Sequence, residues 1–513
     1  MKSRNSRANS GYVGQNRLSD DYGVISENKN YLRSNLTQWI RPANWLPLPS
    51  MTAGDQMFAG LLAVYPGDPA LTGPTASGNF VAFSVTGCTY TVDWGNGTTQ
   101  SYSAGVTAQY NFDFGSISAA TSVTGVEGLS GYRQTVIKAY PTVAGTTFSG
   151  IDLAGKYSQA GYTFGSAWSP AWLDMRIAGS TISSFKFFIP NSGVSNNIEQ
   201  FEWVGNSGIT NGTSFFSSNS SGIAGCKNLK SLIGTSWTSN IINFTSMFSA
   251  CKLLRTIPLL NTASGTNFTS MFQSCTSLET IPLLNTASGT NFTSMFQSSN
   301  VLRTVPLLNT ASGTNFTSMF ANCSSLQSVP LLNTASGTIF TGMFNSCRNL
   351  QTIPPLNLTS GTDFSTMFAS CESLQTIPLL NTANGTNFNS MFSGCSNLQT
   401  IPLLNTAKGT SISSMFRFCN SLQTIPLLDF RAAQTFNLVF DGCNNLKQAA
   451  TQIPAINSPW SVSGNNLSPA AINQIFTKLP TGAAFVRTCE ITNNWGAAGC
   501  DKSIATAKGW NVK

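Results

Sequence analysis

Apolar positions along this chain recur with a period of 24 residues between about 226 and 446. One copy reads N-F-T-S-M-F-Q-S-C-T-S-L-E-T-I-P-L-L-N-T-A-S-G-T, with Phe268, Met271, Phe272, Cys275, Leu278, Ile281 and Leu284 as its apolar members. The next copy places Phe292, Met295, Phe296, Leu302, Val305 and Leu308 at the same offsets. Such fixed-period self-similarity marks a solenoid, in which one coil cannot bury its apolar face and stacked neighbours complete the core.

Within a coil the short apolar run 278–284 predicts one strand. Pro282, repeated at Pro306, Pro330, Pro354, Pro378, Pro402 and Pro426, has no N–H to donate between coils, so that strand is expected to break or bulge there. Gly265, Gly289, Gly313, Gly337, Gly361, Gly385 and Gly409 predict a tight turn with positive φ. In T-S-M-F-x-x-C the apolar residues lie three or four apart, which predicts a single helical or 3₁₀ turn. The 192 residues from Cys251 to Cys443 make eight periods. At a strand spacing of about 4.8 Å they extend roughly 40 Å.

Stacking turns each repeated residue into a column. Cys251, Cys275, Cys323, Cys347, Cys371, Cys395, Cys419 and Cys443 form one, with Ser299 in the single missing place and Cys226 lying 25 residues upstream. Zinc ligands cluster two to four residues apart, and parallel side chains on a ladder bridge poorly, so buried free thiols at a small-residue packing position are expected. Asn261, Asn285, Asn309, Asn333, Asn357, Asn381 and Asn405 are expected to cap a turn. The N-x-T triplets recur because the coil recurs and carry no weight as glycosylation sites. A last column, Arg255, Glu279, Arg303, Gln327, Gln351, Gln375, Gln399 and Gln423, faces outward as solvated spacers or as a ligand-facing surface.

The flanks follow other periods. Residues 51–145 alternate in strands such as F-V-A-F-S-V and R-Q-T-V-I-K-A-Y between Gly-rich turns, as in a β-sandwich. Cys88 reads as core there. Residues 146–225 hold irregular strands that begin the solenoid, 226–446 the regular coils, and 447–513 a C-terminal cap. In the cap, Ser468 and Pro469 read as N-cap and first position of a short helix. Cys489 and Cys500 are read as either paired or reduced. Residues 1–50 form a polar arm and a docking segment. Tyr31, Leu32, Leu36, Trp39 and Ile40 give one apolar face of a short helix ended by Pro42, and with Trp45 they dock on a partner or pack on the chain's own sandwich. The fold class is mainly β: a sandwich, a solenoid of 24-residue coils and a small helical cap.

Composition narrows the function. Only 9% of the 513 residues are charged, and the net charge of +8 is dispersed, without the basic stripe interleaved with aromatics that nucleic-acid binding needs. No run approaches the roughly 18–20 apolar residues of a membrane span, and no apolar segment follows the charged N-terminus as in a secretory signal. Histidine is absent, which removes the commonest general base and metal ligand. No carboxylate pair stands in a distinctive motif. The chain therefore reads as non-enzymatic, with no cofactor.

Two resemblances add to this. M-F-x-x-C-x-x-L-x-x-I-P resembles the BspA-type, treponemal leucine-rich repeat A-F-x-x-C-x-x-L-x-x-I-x-I-P over nearly half the chain. That resemblance implies a curved right-handed solenoid associated with adhesion. The chain departs from it in the Pro directly after Ile and in the near-invariant L-L-N-T-A-S-G-T connection. Residues 90–97, Y-T-V-D-W-G-N-G, are similar to the W-x-F/W-G-D-G hairpin of PKD-type immunoglobulin-like domains, with Asn96 replacing the usual Asp. Tyr110, Asn111 and Phe112 stand where that family has its H-x-Y strand, and Asp93 is expected to organise its own turn.

The order of arm, sandwich, solenoid and cap resembles tailed-phage structural proteins, cyanophages among them. This implies a virion fibre, tail-associated or capsid-surface protein, assembled in the host cytoplasm. The N-terminal region would attach to other virion proteins, and the solenoid would project towards a host-surface glycan or protein. Such a protein is expected to be oligomeric in the particle. A purely architectural decoration protein, a bacterial surface adhesin and a carboxylate-based glycan depolymerase are the alternatives.

Overall fold

The computed structural model describes residues 39–66, 79–123, 131–153, 158–159, 162–163, 172–186, 198–217, 226, 228–435, 437–452, 460–479, 481 and 487–513. The chain divides into two units, Met1–Pro42 and Ala43–Lys513. Of the first, 39–42 are described; they are irregular, and Ile40 is exposed. Tyr31, Leu32 and Leu36 of the expected docking helix lie outside the described residues.

The second unit opens with β1 (Met57–Val64), β2 (Phe80–Thr86), β3 (Tyr90–Asp93), β4 (Thr99–Tyr102), β5 (Thr107–Asn111), β6 (Arg133–Pro141) and β7 (Gly150–Asp152), followed by the short pair β8 (Ser158–Gln159) and β9 (Tyr162–Thr163). Then come β10 (Trp172–Ala178), β11 (Ser184–Lys186), β12 (Gln200–Val204) and β13 (Ser231–Ile233). One sheet has the order β13-β12-β10-β1-β6-β3-β4, and a second has β11-β7-β2-β5. They pack face to face through aromatic side chains. Phe58 of β1 meets Phe83 of β2 edge-on at 5.4 Å, and Trp94 lies 6.0 Å from Phe83. Cys88 lies in this core, as expected.

β10 joins sandwich to solenoid. It pairs antiparallel with β1 on one edge and parallel with β12 on the other, and β12 pairs parallel with β13. The sandwich sheet thus runs directly into the first coils, so the end of the stack is covered by paired backbone and not left as an open edge.

Regular coils follow, and their backbone differs from the expectation in three ways. First, the strand is misplaced. Parallel bridges link Asn243, Asn267, Asn291, Asn315, Ile339, Asp363, Asn387 and Ser411 in successive coils, in the N-F-T segment and not in L-x-x-I-P-L. In this phase of the coil a strand forms only at the two ends of the stack, as β13 after Cys226 and as β14 (Thr424–Asp429) beside β15 (Gln448–Gln452). Second, the T-S-M-F-x-x-C segment is not a helical turn. Phe292, Ser294, Phe296 and Ser298 donate their N–H groups to Asn315, Thr317, Met319 and Ala321 of the next coil at 2.8–3.0 Å. Between them Met295, Gln297 and Ser299 donate back within the coil to Phe292, Ser294 and Phe296. The segment is a chain of overlapping β-turns in which alternate peptides point along the stack. It keeps the three-and-four spacing of buried residues that the sequence showed.

Third, that alternation needs residues at positive φ, and most of them are serines. Ser270, Ser294 and Ser318 (φ 53–55°) form one such column, and Ser274, Ser298 and Asn322 (58–62°) a second. The A-S-G-T glycines are absent from the positive-φ positions. Gly313 is required by closeness, since a Cβ there would stand 2.6 Å from Phe316 Cζ and 3.0 Å from the Thr310 carbonyl.

Magnitudes show why the strain is tolerated. Each left-handed serine costs about 1–2 kcal/mol. Each inter-coil bond contributes roughly 0.5–1.5 kcal/mol, and each buried Phe, Met or Leu about 1.5–3 kcal/mol. Burial decides the balance. Two phenylalanine columns, 244–388 and 216–440, stack at centroid distances of 5.3–5.9 Å.

The stack closes on β16 (Trp460–Ser461), α1 (Pro469–Lys478), β17 (Arg487–Glu490), α2 (Ser503–Thr506) and β18 (Trp510–Val512). Ser468 caps α1 as expected, accepting the Ala471 N–H at 3.1 Å. Among the described residues no helix is long and apolar enough to cross a membrane.

Glycine 313 and serine 318 therefore respond oppositely to substitution. Gly313→Ala is expected to lose about 1–3 kcal/mol through overpacking. Ser318→Gly is expected to be neutral or stabilising by up to about 1 kcal/mol, as strain relief outweighs added chain entropy. Denaturant unfolding of the two variants checks this, and a Gly313→Ala protein as stable as the parent contradicts the packing argument.

Candidate functional site

The segment between the turn chain and the next Asn is irregular, with Leu308, Leu332 and Leu356 closing N–H bonds to the carbonyls of Pro306, Pro330 and Pro354 at 2.8–2.9 Å, and its fixed order of exposed and buried side chains sets the outer surface. In the coil of Gln375, Gln375 and Thr376 are exposed, Ile377 is buried, Pro378 half-buried, Leu379 exposed, Leu380 buried and Asn381 exposed. Repetition converts each into a column. Of the predicted column, Arg255, Arg303, Gln327, Gln351, Gln375, Gln399 and Gln423 are exposed and Glu279 is half-buried. The structure brings them into one line. Gln327, Gln351, Gln399 and Gln423 donate N–H groups to the carbonyls of Arg303, Gln327, Gln375 and Gln399 at 2.9–3.2 Å. Further bonds along this segment are blocked because the proline three residues on has no N–H.

At the N-terminal end Arg255 holds Glu279, with Nε 2.8 Å from Oε1. Such an exposed pair contributes little, about 0–1 kcal/mol. The same one-coil offset pairs Arg348 with Glu372 at 3.5 Å and Arg417 with Asp441 at 3.0 Å. Beside the Gln column run Thr256, Thr280, Thr304, Ser328, Thr352, Thr376 and Thr400, all exposed. Sequence reasoning named the first column but missed this one. The signal lay in the same L-x-x-I-P phase.

Other columns are structural. Asn261, Asn285, Asn309, Asn333, Asn357, Asn381 and Asn405 each accept the N–H two residues on at 3.1–3.3 Å, the expected turn caps. The cysteines are free and, Cys500 apart, buried. They also do something not foreseen. Cys323, Cys347, Cys395 and Cys443 donate S–H to the carbonyl of a phenylalanine in the preceding coil at 3.0 Å. Ser299 does the same through its hydroxyl, to Phe272 O at 2.9 Å. The column selects a small buried donor, which explains the one serine. Burial pushes the thiols of Cys275, Cys323, Cys395 and Cys443 from 9.0 up to about 12, the opposite of what a reactive thiolate needs.

Trp45 takes the second of its two alternatives. It is buried, and its Nε1 donates to the Tyr132 hydroxyl at 3.3 Å, so it packs on the chain's own sandwich and presents no docking surface. Asp93 organises its turn as expected, accepting the Gly95 N–H at 2.9 Å and Lys138 Nζ at 3.0 Å. A cavity of about 440 Å³ beside it is lined by Leu46, Asn96, Ser118, Gln134 and Thr135. Gln134 is already spent holding Leu46 N and Asn44 O, and Thr135 holds Trp94 O. Among the described residues no three metal-ligating side chains converge.

Comparison with known proteins agrees with a repeat. A family model described as "Mycoplasma protein of unknown function, DUF285" matches residues 217–332 and again 338–453, somewhat under half the chain. No curated protein matches. Among solved structures, a leucine-rich cell surface protein from Faecalibacterium prausnitzii is 17% identical, over 60% of this chain and 91% of its own, with a TM-score of 0.34. A leucine-rich repeat protein from Eubacterium ventriosum is 14% identical over 57% and 90%, with a TM-score of 0.29. The Drosophila Toll–Spätzle complex is 14% identical over 65% and 52%, with a TM-score of 0.24. At these scores the likenesses carry no argument, and the solenoid rests on its own hydrogen-bond ladder.

The thiol column predicts an alkaline limit to stability. A thiol ionises at 9.0 when unfolded and near 12 when buried, so its contribution is complete below pH 9 and is lost as pH rises towards 12. Each buried thiol forfeits on the order of 1 kcal/mol per pH unit in that window. Unfolding followed from pH 8 to 11 is expected to show a steep loss, made shallower by Cys323→Ser and Cys395→Ser together. An unchanged slope in that variant contradicts the assignment.

Proposed function

We propose that this chain is a non-enzymatic surface-recognition protein, a rigid solenoid that displays one polar column to an extended ligand. The observation that carries this is the exposed Gln column with its Thr neighbour, held in register coil after coil by backbone bonds and free of charge from Gln327 onwards. A ladder of identical donors and acceptors on a backbone ordered before binding matches a repetitive partner such as a glycan or an extended peptide, with only the side chains left to order. A low charge density keeps the surface neutral to nucleic acid.

The finer reading is a tailed-phage virion protein, attached through its N-terminal region to other virion proteins and oligomeric in the particle, with host adsorption as its task. Its support is the resemblance of the domain order. A bacterial surface adhesin uses the same column in the same way, and a purely architectural decoration protein leaves it unused.

Full-length protein applied to a panel of bacterial cells and purified envelope polysaccharides tests the recognition role. Gln351→Ala, Gln375→Ala and Gln399→Ala together are expected to lower affinity by about 10-fold or more, with an unchanged melting temperature. Binding that survives these substitutions rules out the column, and no binding across the panel favours decoration. Immunogold labelling of particles and cells separates virion from cell surface.

A further inference from the structure

Four residues beyond the Gln column, the same segment exposes a second column of a different kind. Leu259, Leu283, Leu307, Leu331, Leu379, Leu403 and Leu427 are 53–68% exposed, and Pro355 fills the one remaining place. Beside them run the half-buried prolines of the same coils, from Pro258 to Pro426. An exposed leucine is ordinary when alone. Seven in one line over eight coils, with an exposed proline in the eighth place, are not.

At roughly 100 Å² of exposed surface each, the seven leucines present on the order of 700 Å². That exceeds the roughly 300–600 Å² of the largest apolar patch on a typical monomer. It approaches the ~800 Å² that each partner contributes to a standard interface.

We infer that this column is a seam for a second copy of the chain, packed leucine column against leucine column. Three features favour that occupant. The area matches what a stable dimer needs. A second copy has the same coil spacing, so its leucines stay in step along the whole line, whereas a partner with another period drifts out of register. The charges permit it as well. Antiparallel pairing about the midpoint of Leu331 and Pro355 sets Leu259 against Leu427, Leu283 against Leu403 and Leu307 against Leu379 of the other copy. The same operation sets Arg255, Glu279 and Arg303 towards the uncharged Gln423, Gln399 and Gln375, so no like charges meet. An isologous contact of this kind closes on itself and does not propagate into fibres. It leaves the two Gln columns facing each other along one margin of the seam, and it holds whether or not they bind a ligand.

Sedimentation equilibrium of the full chain at micromolar concentration tests the seam. A species of twice 54.6 kDa is expected. Leu307→Glu with Leu379→Glu, both at exposed positions, is expected to raise the dimer dissociation constant by about 100-fold or more without moving the melting temperature. Ala311→Glu with Ala407→Glu, exposed in a different turn of the coil, is expected to leave the dimer intact. A monomeric parent overturns the inference, as does a Leu307→Glu/Leu379→Glu protein that remains dimeric.

Discussion

The structure depends on one constraint: every coil must pass backbone hydrogen bonds to the next while turning through a tight corner. The N-F-T-S-M-F-x-x-C segment meets both demands by alternating its peptides, half bonding along the stack and half closing turns within the coil. Serines at positive φ are what this alternation costs, and the phenylalanine, methionine and leucine columns supply the burial that outweighs the strain. The cysteine column belongs to the same device. Its thiols and one hydroxyl add a second donor to phenylalanine carbonyls that already accept a turn N–H within their own coil.

Much of this was legible beforehand, because periodicity constrains which residues stack whatever the backbone does between them. The Phe, Cys and Asn columns stand where the 24-residue repeat puts them, and Ser468 caps its helix. Backbone conformation was harder to read. Gly313 looks like a left-handed turn residue, yet its missing Cβ is needed for contact with Phe316. Ser318 looks unremarkable and carries the positive φ. Propensity assigns left-handed backbone to glycine, and here the inter-coil ladder overrides it. The strand was misplaced for a related reason. Proline prevents the apolar L-x-x-I-P-L run from forming a full ladder, so pairing moves to the polar N-F-T segment.

Of the candidate surface, the outward direction of the Gln column followed from its phase, and its alignment was recovered in the structure. Its Thr neighbour and the exposed leucines were missed because a leucine beside a buried leucine reads as core. Trp45 was ambiguous in sequence, and only the Tyr132 contact places it inside. With β10 set between β1 and β12 in one continuous sheet, the sandwich acts as the stack's first layer as much as a separate module. A long, regular and nearly uncharged outer face is suited to display.

Hydrogen–deuterium exchange along one central coil tests the central claim most directly. If the turn chain carries the ladder, the amides of Phe316, Ser318, Phe320 and Asn322 are protected far more strongly than those of Ser328, Val329 and Leu331. Equal protection of the two segments, or protection concentrated in 328–331, would show that the coils are held together by conventional strands and that the account is wrong.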